Sequence, residues 1–427
     1  MKASAKQRLV VVGNGMASVR VLEELLRADP GRYDITVFGA EPHGNYNRIL
    51  LSPLLAGDNS LTDIVTHPHA WYAGCGITLH AGDPVIALDR APRTVTARSG
   101  RTVAYDRLLL ATGSRPFVLP VPGRELPGVV AFREIADVET MLDASRRHHR
   151  AVVIGGGLLG LEAAYALQRR GMKVTVVHLM DRLMERQLDA AAAALLQRHL
   201  EGSGLRILLN AQTESILGQE RAIGVRLKDG RSLPGDLVVM AAGIVPNVEL
   251  AKSAGLPCER GVLVNDTLQT FDPRVYAVGE CVQHRKAVYG LVAPLYEQAK
   301  VCANHLAGHG AARYAGSVVS TRLKVTGVEL FSAGNFLGGD GTRDLIYKDA
   351  RRGIYKRLVL KGGQLEGAVL YGEAADGGWY FDLIRRRADI SRYRDRLVFG
   401  RQHSAGVIDE DNRPPALAPG ASESIAA

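Results

Sequence analysis

Short apolar runs, each followed by a glycine-rich turn and then by hydrophobic positions at helical spacing, recur along this chain. Leu9-Val10-Val11-Val12 runs into Gly13-Asn14-Gly15-Met16-Ala17-Ser18, after which Val19, Leu22, Leu25 and Leu26 recur on one helical face. The order returns in Val152-Val153-Ile154, then Gly155-Gly156-Gly157-Leu158-Leu159-Gly160, then a helix expected from about Leu158 to Arg170, closed by Gly171 and followed by a strand from Lys173 to Val177. Both stretches predict strand, tight turn and helix. The first two glycines of such a turn let the backbone approach a pyrophosphate, and the helix N-terminus meets it with unpaired amides and the positive end of its dipole. Two such fingerprints in full context predict two dinucleotide sites in one chain.

The remaining pattern orders these pieces. Ile35-Thr36-Val37-Phe38 reads as a second strand leading to Glu41, a carboxylate placed to accept from an adenosine ribose. Leu108-Leu109-Leu110 is apolar throughout, as a buried parallel strand requires, and stops at Ala111-Thr112-Gly113. Between Arg115 and Pro127 lie Pro116, Pro120, Pro122 and Pro127, a stretch that reads as a crossing between domains. The second nucleotide unit is expected to end near Leu233-Pro234-Gly235. A strand from Leu237 to Ala242 follows, then a second crossing at Gly243-Ile244-Val245-Pro246-Asn247, the strand Val275 to Val278 ending in Gly279-Glu280, and a helix from Ala293 to Leu306.

The expected fold is α/β, with two Rossmann-like three-layer dinucleotide-binding domains: residues 1–115 and 236–316 form one, split by the other at 116–235. A small α+β domain is expected over 317–408, from strands Val318 to Val325, Val328 to Phe331 and Tyr355 to Leu360, a turn at Lys361-Gly362-Gly363 into Gln364 to Tyr371, and a helix from about Trp379 to Arg387. Trp379, Tyr380 and Phe381 are expected in its core. Residues 409–427, with Pro414, Pro415 and Pro419, read as a disordered tail.

Composition narrows the chemistry. The chain has 427 residues, 46% of them hydrophobic, enough for several cores. No apolar run approaches the roughly 20 residues of a membrane span, and the first strand starts too early for a signal peptide, so a cytoplasmic protein with no membrane partner is expected. The four cysteines, Cys75, Cys258, Cys281 and Cys302, form no close pair, which argues against a disulfide framework, an iron–sulfur cluster or a zinc site. His67-Pro68-His69 and Arg146-Arg147-His148-His149-Arg150 lack metal-ligand spacing, so no metal is expected. The net charge of +9 reads as a solvated surface rather than a nucleic-acid face, with Arg351-Arg352 and Arg385-Arg386-Arg387 as candidate docking points for an acidic protein.

The motif order resembles the two-dinucleotide flavoprotein reductases, in which the first fingerprint holds FAD and the second NAD(P)H. Asn45-Tyr46-Asn47-Arg48-Ile49-Leu50-Leu51-Ser52-Pro53, Val177 to Asp189 and Gly279-Glu280-Cys281 are similar to the flavin-containing half of assimilatory nitrite reductase large subunits, and single-chain relatives serve as rubredoxin reductases or nitrate reductase electron-transfer subunits. The resemblance spans roughly Arg8 to Leu306. It implies that Gly13, Gly15 and Glu41, flanked by Ala17 and Ser18, hold the adenosine and pyrophosphate of FAD, with Ser18 in place of the third glycine. Ala111, Thr112 and Gly113 would pack along the same cofactor, and Arg48 would meet its phosphates or the flavin edge. Gly279 and Glu280 would approach the ribityl chain, where many relatives have the shorter Asp, and Gln298 would lie near the pyrimidine end. Gly155, Gly157, Gly160 and Gly243 would serve NAD(P)H, with His178 at the position that selects between NADH and NADPH. Arg182 is a candidate phosphate partner, as is Arg186 unless it pairs with Asp189. Glu162 would reach back to the flavin. Many relatives pair that acid with a lysine near Ser52-Pro53; this chain has Pro53, so either Arg48 substitutes or Glu162 has another job.

The activity so implied is hydride transfer from NAD(P)H to FAD, with Glu162 and Arg48 as candidate catalytic residues. Disulfide reductases and peroxidases of this superfamily carry a cysteine soon after the first fingerprint, yet none occurs between Glu41 and Gly57. Cys75 comes too late, and Cys281 reads as a small hydrophobe. Electrons are therefore expected to leave for a one-electron protein acceptor: a nitrate or nitrite reductase component, rubredoxin or ferredoxin. The alternatives are an NADH oxidase using oxygen and a slow-turnover flavoprotein with a regulatory role. Nitrite reductase large subunits continue into iron–sulfur and siroheme domains that this sequence lacks, so it is not expected to reduce nitrite alone. In relatives the C-terminal module covers the flavin or forms a homodimer contact.

Overall fold

The structure, a computed structural model, describes residues 6–325 and 327–404; the expected tail at 409–427 lies outside the described residues. The chain divides into two compact units, one made of residues up to Leu183 with Gln197–Val319, the other of Met184–Leu196 with the described residues from Ser320 on.

The first unit holds both nucleotide folds. One parallel sheet has the order Val275–Ala277, Arg107–Leu110, Gln7–Val12, Tyr33–Phe38, Ile77–His80. Leu9, Val10, Val11, Leu108 and Leu109 are fully buried, which is why these strands read as unbroken apolar runs: both faces are covered. On one face the helices Met16–Ala28 and Val292–Leu306 pack together, joining Val19, Leu22 and Leu25 to Leu295, Ala299 and Leu306 in a single core. On the other, Leu88 and Val95 from an antiparallel three-stranded sheet close over Val10 and Leu108.

The second parallel sheet has the order Val129–Ala131, Leu237–Met240, Arg150–Ile154, Lys173–Val177, Arg206–Leu208. This corrects one boundary. The strand Leu237–Met240, assigned from sequence to the returning half of the first domain, pairs with Arg150–Ile154 in register Ala151↔Leu237 to Ile154↔Met240, so the inserted unit runs past residue 235. An apolar strand suits the middle of either sheet, and periodicity does not say which. The two crossings are adjacent in space, with Ser114–Pro116 antiparallel to Ile244–Pro246.

The second unit is a five-stranded antiparallel sheet in the order Ser320–Val325, Val328–Gly334, Gln364–Tyr371, Ile354–Lys361, Arg343–Asp349, against which the helix Gly377–Arg386 packs. Tyr380 is fully buried there, while Trp379 and Phe381 pack partly buried against the same core. Arg343–Asp349 is an edge strand rich in charge that the hydrophobic pattern does not reveal. The segment Met184–Leu196 belongs with this sheet through Asp189, which accepts from the Tyr355 hydroxyl at 2.5 Å and lies 3.5 Å from Arg357. Arg357 also pairs with Asp344 at 2.8 Å. The expected Arg186–Asp189 pair therefore does not form; Arg186 sits 3.8 Å from Glu185 instead.

Candidate dinucleotide sites

At the first fingerprint, Gly13 has φ +107°, and a Cβ there would sit 2.1 Å from the carbonyl oxygen of Ala111. The turn passes so close to the end of Arg107–Leu110 that a side chain has no place. Gly15 caps the helix Met16–Ala28 at φ −87° and ψ −175°, and a Cβ on it would meet nothing within 4 Å. That open space before the amides of a helix N-terminus fits a pyrophosphate. Ser18 is fully buried and donates to the Gly15 carbonyl at 2.9 Å, and Ala17 packs against Gly279. The Gly279 amide donates to Oε1 of the fully buried Gln298 at 2.8 Å, so Gln298 braces the loop that carries Glu280. Thr112 and Asn247 exchange hydrogen bonds at 2.7 and 2.8 Å, and the Asn247 amide donates to the Gly113 carbonyl at 2.9 Å. Thr112 and Gly113 thus also knit the two crossings.

The charged residues expected around FAD form a connected set. Glu41 accepts from the Tyr46 hydroxyl at 2.7 Å and pairs with Arg48, whose guanidinium also lies 4.9 Å from the Tyr46 ring. Arg48 donates in turn to the Arg133 carbonyl at 2.8 Å. Arg133 pairs through its guanidinium with Glu280, which also accepts from Ser114 at 2.7 Å. The longer acid at position 280 is pulled back onto these partners. Arg48 is committed to Glu41, so it does not substitute for the missing lysine beside Glu162. The sequence does not single out Arg133 or Ser114, and it shows Tyr46 only as one residue of the stretch Asn45 to Pro53. Phe132-Arg133-Glu134 lies in no fingerprint, and its only signal is a charge just before the helix Ile135–Arg147.

The second fingerprint repeats the backbone of the first. Gly155 has φ +130° and a Cβ there would lie 2.2 Å from the Ala241 carbonyl oxygen; Gly157 caps the helix Leu158–Arg169 at φ −83° and ψ −176° with nothing within 4 Å of its Cβ. At Gly160 a Cβ would come within 2.0 Å of the Gly155 oxygen, so the third glycine is required here. Gly243 lies at the crossing, its carbonyl accepting from Phe117 N–H at 2.9 Å. His178 is buried beneath the turn, and its Nδ1 accepts from Gly156 N–H at 3.1 Å. Arg182 pairs with its neighbour Asp181 at 3.1 Å. Glu162 accepts from the Ser52 hydroxyl at 2.7 Å, and burial raises its carboxyl pKa above the usual range.

Cys75 is exposed, while Cys281 is sealed with Sγ 3.3 Å from the Val278 carbonyl, its thiol pKa pushed up by burial. Among the described residues no cluster suits a metal ion, and no helix is long and apolar enough to cross a membrane.

Two serial glycine cradles, one in a split sheet and one in an inserted sheet, define the class of two-dinucleotide flavoprotein oxidoreductases. Residues 7–305 match the family described as pyridine nucleotide-disulphide oxidoreductase, and residues 320–388 match the rubredoxin NAD+ reductase C-terminal domain. The chain belongs to this family, with FAD and NAD(P)H as its two dinucleotides. It is 53% identical over 386 residues to a nitrite reductase [NAD(P)H] of Bacillus subtilis, covering 90% of this chain and 48% of the relative. It is 45% identical to the assimilatory nitrate reductase electron transfer subunit of the same organism, covering 92% and 51%. The chain thus spans about half the length of these curated relatives. Among solved structures, a ferredoxin reductase from Rhodopseudomonas palustris superimposes with a TM-score of 0.82 at 28% identity, covering 92% of this chain and all of that one.

Proposed function

We propose that this chain takes hydride from NAD(P)H onto FAD and passes the electrons to a separate protein, a nitrate or nitrite reductase component in the first place, with rubredoxin and ferredoxin as other acceptors. The observation that carries the reading is a pair of matched dinucleotide cradles in one compact unit with no reactive thiol supplied to them: the stretch from Glu41 to Gly57 holds no cysteine, and Cys281 is sealed against the Val278 carbonyl. The relatives named as nitrite reductase and as nitrate reductase electron transfer subunit support the choice of acceptor.

In this reading bound FAD supplies acceptance of two electrons and their release one at a time. The protein supplies position. The amides behind Gly13 and Gly15 hold the FAD pyrophosphate, Glu41 and Arg48 meet its adenosine end, and Thr112, Gly113 and Gly279 shape the wall. Glu280, steadied by Arg133 and Ser114, sets charge along the ribityl chain. Gly155, Gly157 and Gly160 receive the nicotinamide dinucleotide, and Arg182 is the candidate partner for a 2′-phosphate. Bringing two rings to stacking distance replaces a bimolecular encounter by an oriented one, and few reactive side chains are needed. A cytoplasmic location and a homodimer fit the reading, the latter testable by sedimentation.

Anaerobic stopped-flow mixing with NADH and with NADPH tests the core of it. Bleaching of flavin absorbance within milliseconds supports the reductase, whereas bleaching over minutes sinks it. Reoxidation by cytochrome c or rubredoxin should outpace reoxidation by oxygen; the reverse order makes the chain an oxidase.

A further inference from the structure

Residues 45–56 run from one fingerprint to the other. Asn45 donates to the Asn14 carbonyl in the first fingerprint at 3.1 Å. The helix Leu51–Ala56 then packs on the second fingerprint's helix, Leu158–Arg169. Ser52 donates to Glu162 at 2.7 Å, and the Leu55 carbonyl accepts from Arg170 at 2.7 Å. Just beyond, Asp58 takes Arg169 at 2.6 Å.

Glu162 is a largely buried acid in this seam, on the second turn after Gly157, and every cation near it is engaged elsewhere. From its own helix, Arg169 is held by Asp58 and Arg170 by the Leu55 carbonyl. From residues 45–56, Arg48 is held by Glu41. From the sheet below, His178 is bonded to Gly156 N–H. The neighbouring helix Ile135–Arg147 sends Asp137 back onto the Arg133 amide. Among the described residues the hydroxyl of Ser52 is therefore the one polar partner of Glu162, and no cation balances its charge.

We propose that Ser52 is a positioning residue that orients the Glu162 carboxyl where the two dinucleotides meet, and that ionisation of Glu162 slows hydride passage as pH rises. This rests on the function proposed above. Hydride brings negative charge into a site screened from water, so a neutral carboxyl accommodates it and an uncompensated carboxylate opposes it. Burial favours the neutral form, while the Ser52 hydrogen bond favours the carboxylate and works the other way. The plain alternative is a stitch between two helices with no bearing on the chemistry.

The two readings part on a pH profile. FAD-loaded protein is reduced anaerobically with NADH from acid to alkaline pH in wild type, Glu162→Gln, Ser52→Ala and Ser52→Thr. We expect the wild-type rate constant to fall through one inflection, Glu162→Gln to lose that inflection, Ser52→Ala to move it to higher pH, and Ser52→Thr to restore it. In flavin-free protein, the infrared carbonyl stretch of a protonated carboxyl should titrate in wild type and be missing from Glu162→Gln. An inflection unchanged in Glu162→Gln, or no such band, overturns the proposal. Wild-type protein that NADH and NADPH fail to reduce at every pH overturns instead the function on which it rests.

Discussion

The two fingerprints share a backbone and differ in what surrounds it. Gly13 and Gly155 are forced by the same approach to a neighbouring carbonyl, Ala111 in one case and Ala241 in the other, and Gly15 and Gly157 cap their helices with φ and ψ within a few degrees of each other. Between the glycines they part. Asn14 accepts from the Tyr72 hydroxyl at 2.6 Å and is held through its carbonyl by Asn45, whereas Gly156 has only its amide, given to His178. The first cradle gathers Glu41, Arg48, Arg133, Glu280 and Gln298 from distant stretches of chain; the second relies on its own helix and the strand beside it. Backbone geometry makes a dinucleotide site, and side chains drawn from far away make it a lasting one. We read the first, as proposed above, as the seat of resident FAD and the second as that of a nucleotide that comes and goes.

The sharpest way to break that assignment is to block each cradle in turn. Gly13→Ala places a methyl 2.1 Å from the Ala111 oxygen on a backbone at φ +107°, and Gly15→Val fills the space before the helix. Both should yield colourless protein: at Gly13 overpacking costs about 1–3 kcal/mol or more and the strained φ adds to it, and at Gly15 the side chain takes the room a pyrophosphate would need. Gly155→Ala and Gly160→Ser meet carbonyl oxygens at 2.2 and 2.0 Å in the second cradle. They should keep stoichiometric flavin, read from the visible spectrum, and lose reduction by NAD(P)H. Exchange of the two phenotypes would reverse the assignment.

A smaller effect is expected from the charges that distinguish the first site. Arg133→Ala leaves the mostly buried Glu280 with Ser114 alone, while the backbone carbonyl that Arg48 uses at position 133 stays in place. Breaking a charged hydrogen bond of this kind costs about 1.5–3 kcal/mol, so FAD affinity should drop roughly tenfold or more, about 1.4 kcal/mol per decade. Fluorescence titration of apoprotein with FAD measures it, and NADH affinity should stay unchanged. An unaltered FAD affinity would mean that Glu280 and Arg133 lie aside from the cofactor.

Next comes His178, where the structure shifts the emphasis from selection to support. If its work is to accept from Gly156 N–H, His178→Phe should weaken NADH and NADPH alike by roughly fivefold, near the 1 kcal/mol of one neutral hydrogen bond. His178→Asn, which keeps an acceptor, should recover part of the loss. A change in the ratio of the two affinities would restore His178 as the selecting residue.

What was legible in the chain follows a physical line. Strands such as Gln7–Val12 and helices such as Leu158–Arg169 announce themselves because burial imposes their period, and the fingerprints because close approach to a carbonyl leaves only glycine. Glu41, Thr112 and Glu280 were legible as ends of strands. What escaped depends on the third dimension. Leu237–Met240 suits either sheet until its partner is known, and Arg343–Asp349 is an edge strand whose charges hide it. Arg133 and Ser114 gain meaning from Glu280, which lies far along the chain, and Ser52 from a helix more than a hundred residues away. Tyr355 and Asp189 were likewise invisible as a pair, since a tyrosine in a strand reads as packing until its hydroxyl finds an acid.

The mildest test concerns Ser18, the one place where the first fingerprint departs from the glycine pattern. Gly160 must be glycine because its turn brings the Gly155 oxygen within 2.0 Å, yet Ser18 occupies the matching place, fully buried, with its hydroxyl on the Gly15 carbonyl at 2.9 Å. The first turn thus admits a hydroxymethyl group and uses it to tie the cap to the helix. Ser18→Ala removes that bond but keeps the packing, and should cost about 1 kcal/mol. Ser18→Gly adds the backbone freedom of glycine in a helix, about 1 kcal/mol more. Both should show as a modest fall in melting temperature of the flavin-loaded protein with full flavin content. Loss of flavin from Ser18→Gly would show that the serine holds the cradle open for FAD, and the two fingerprints would then differ in their backbone as well as in their side chains.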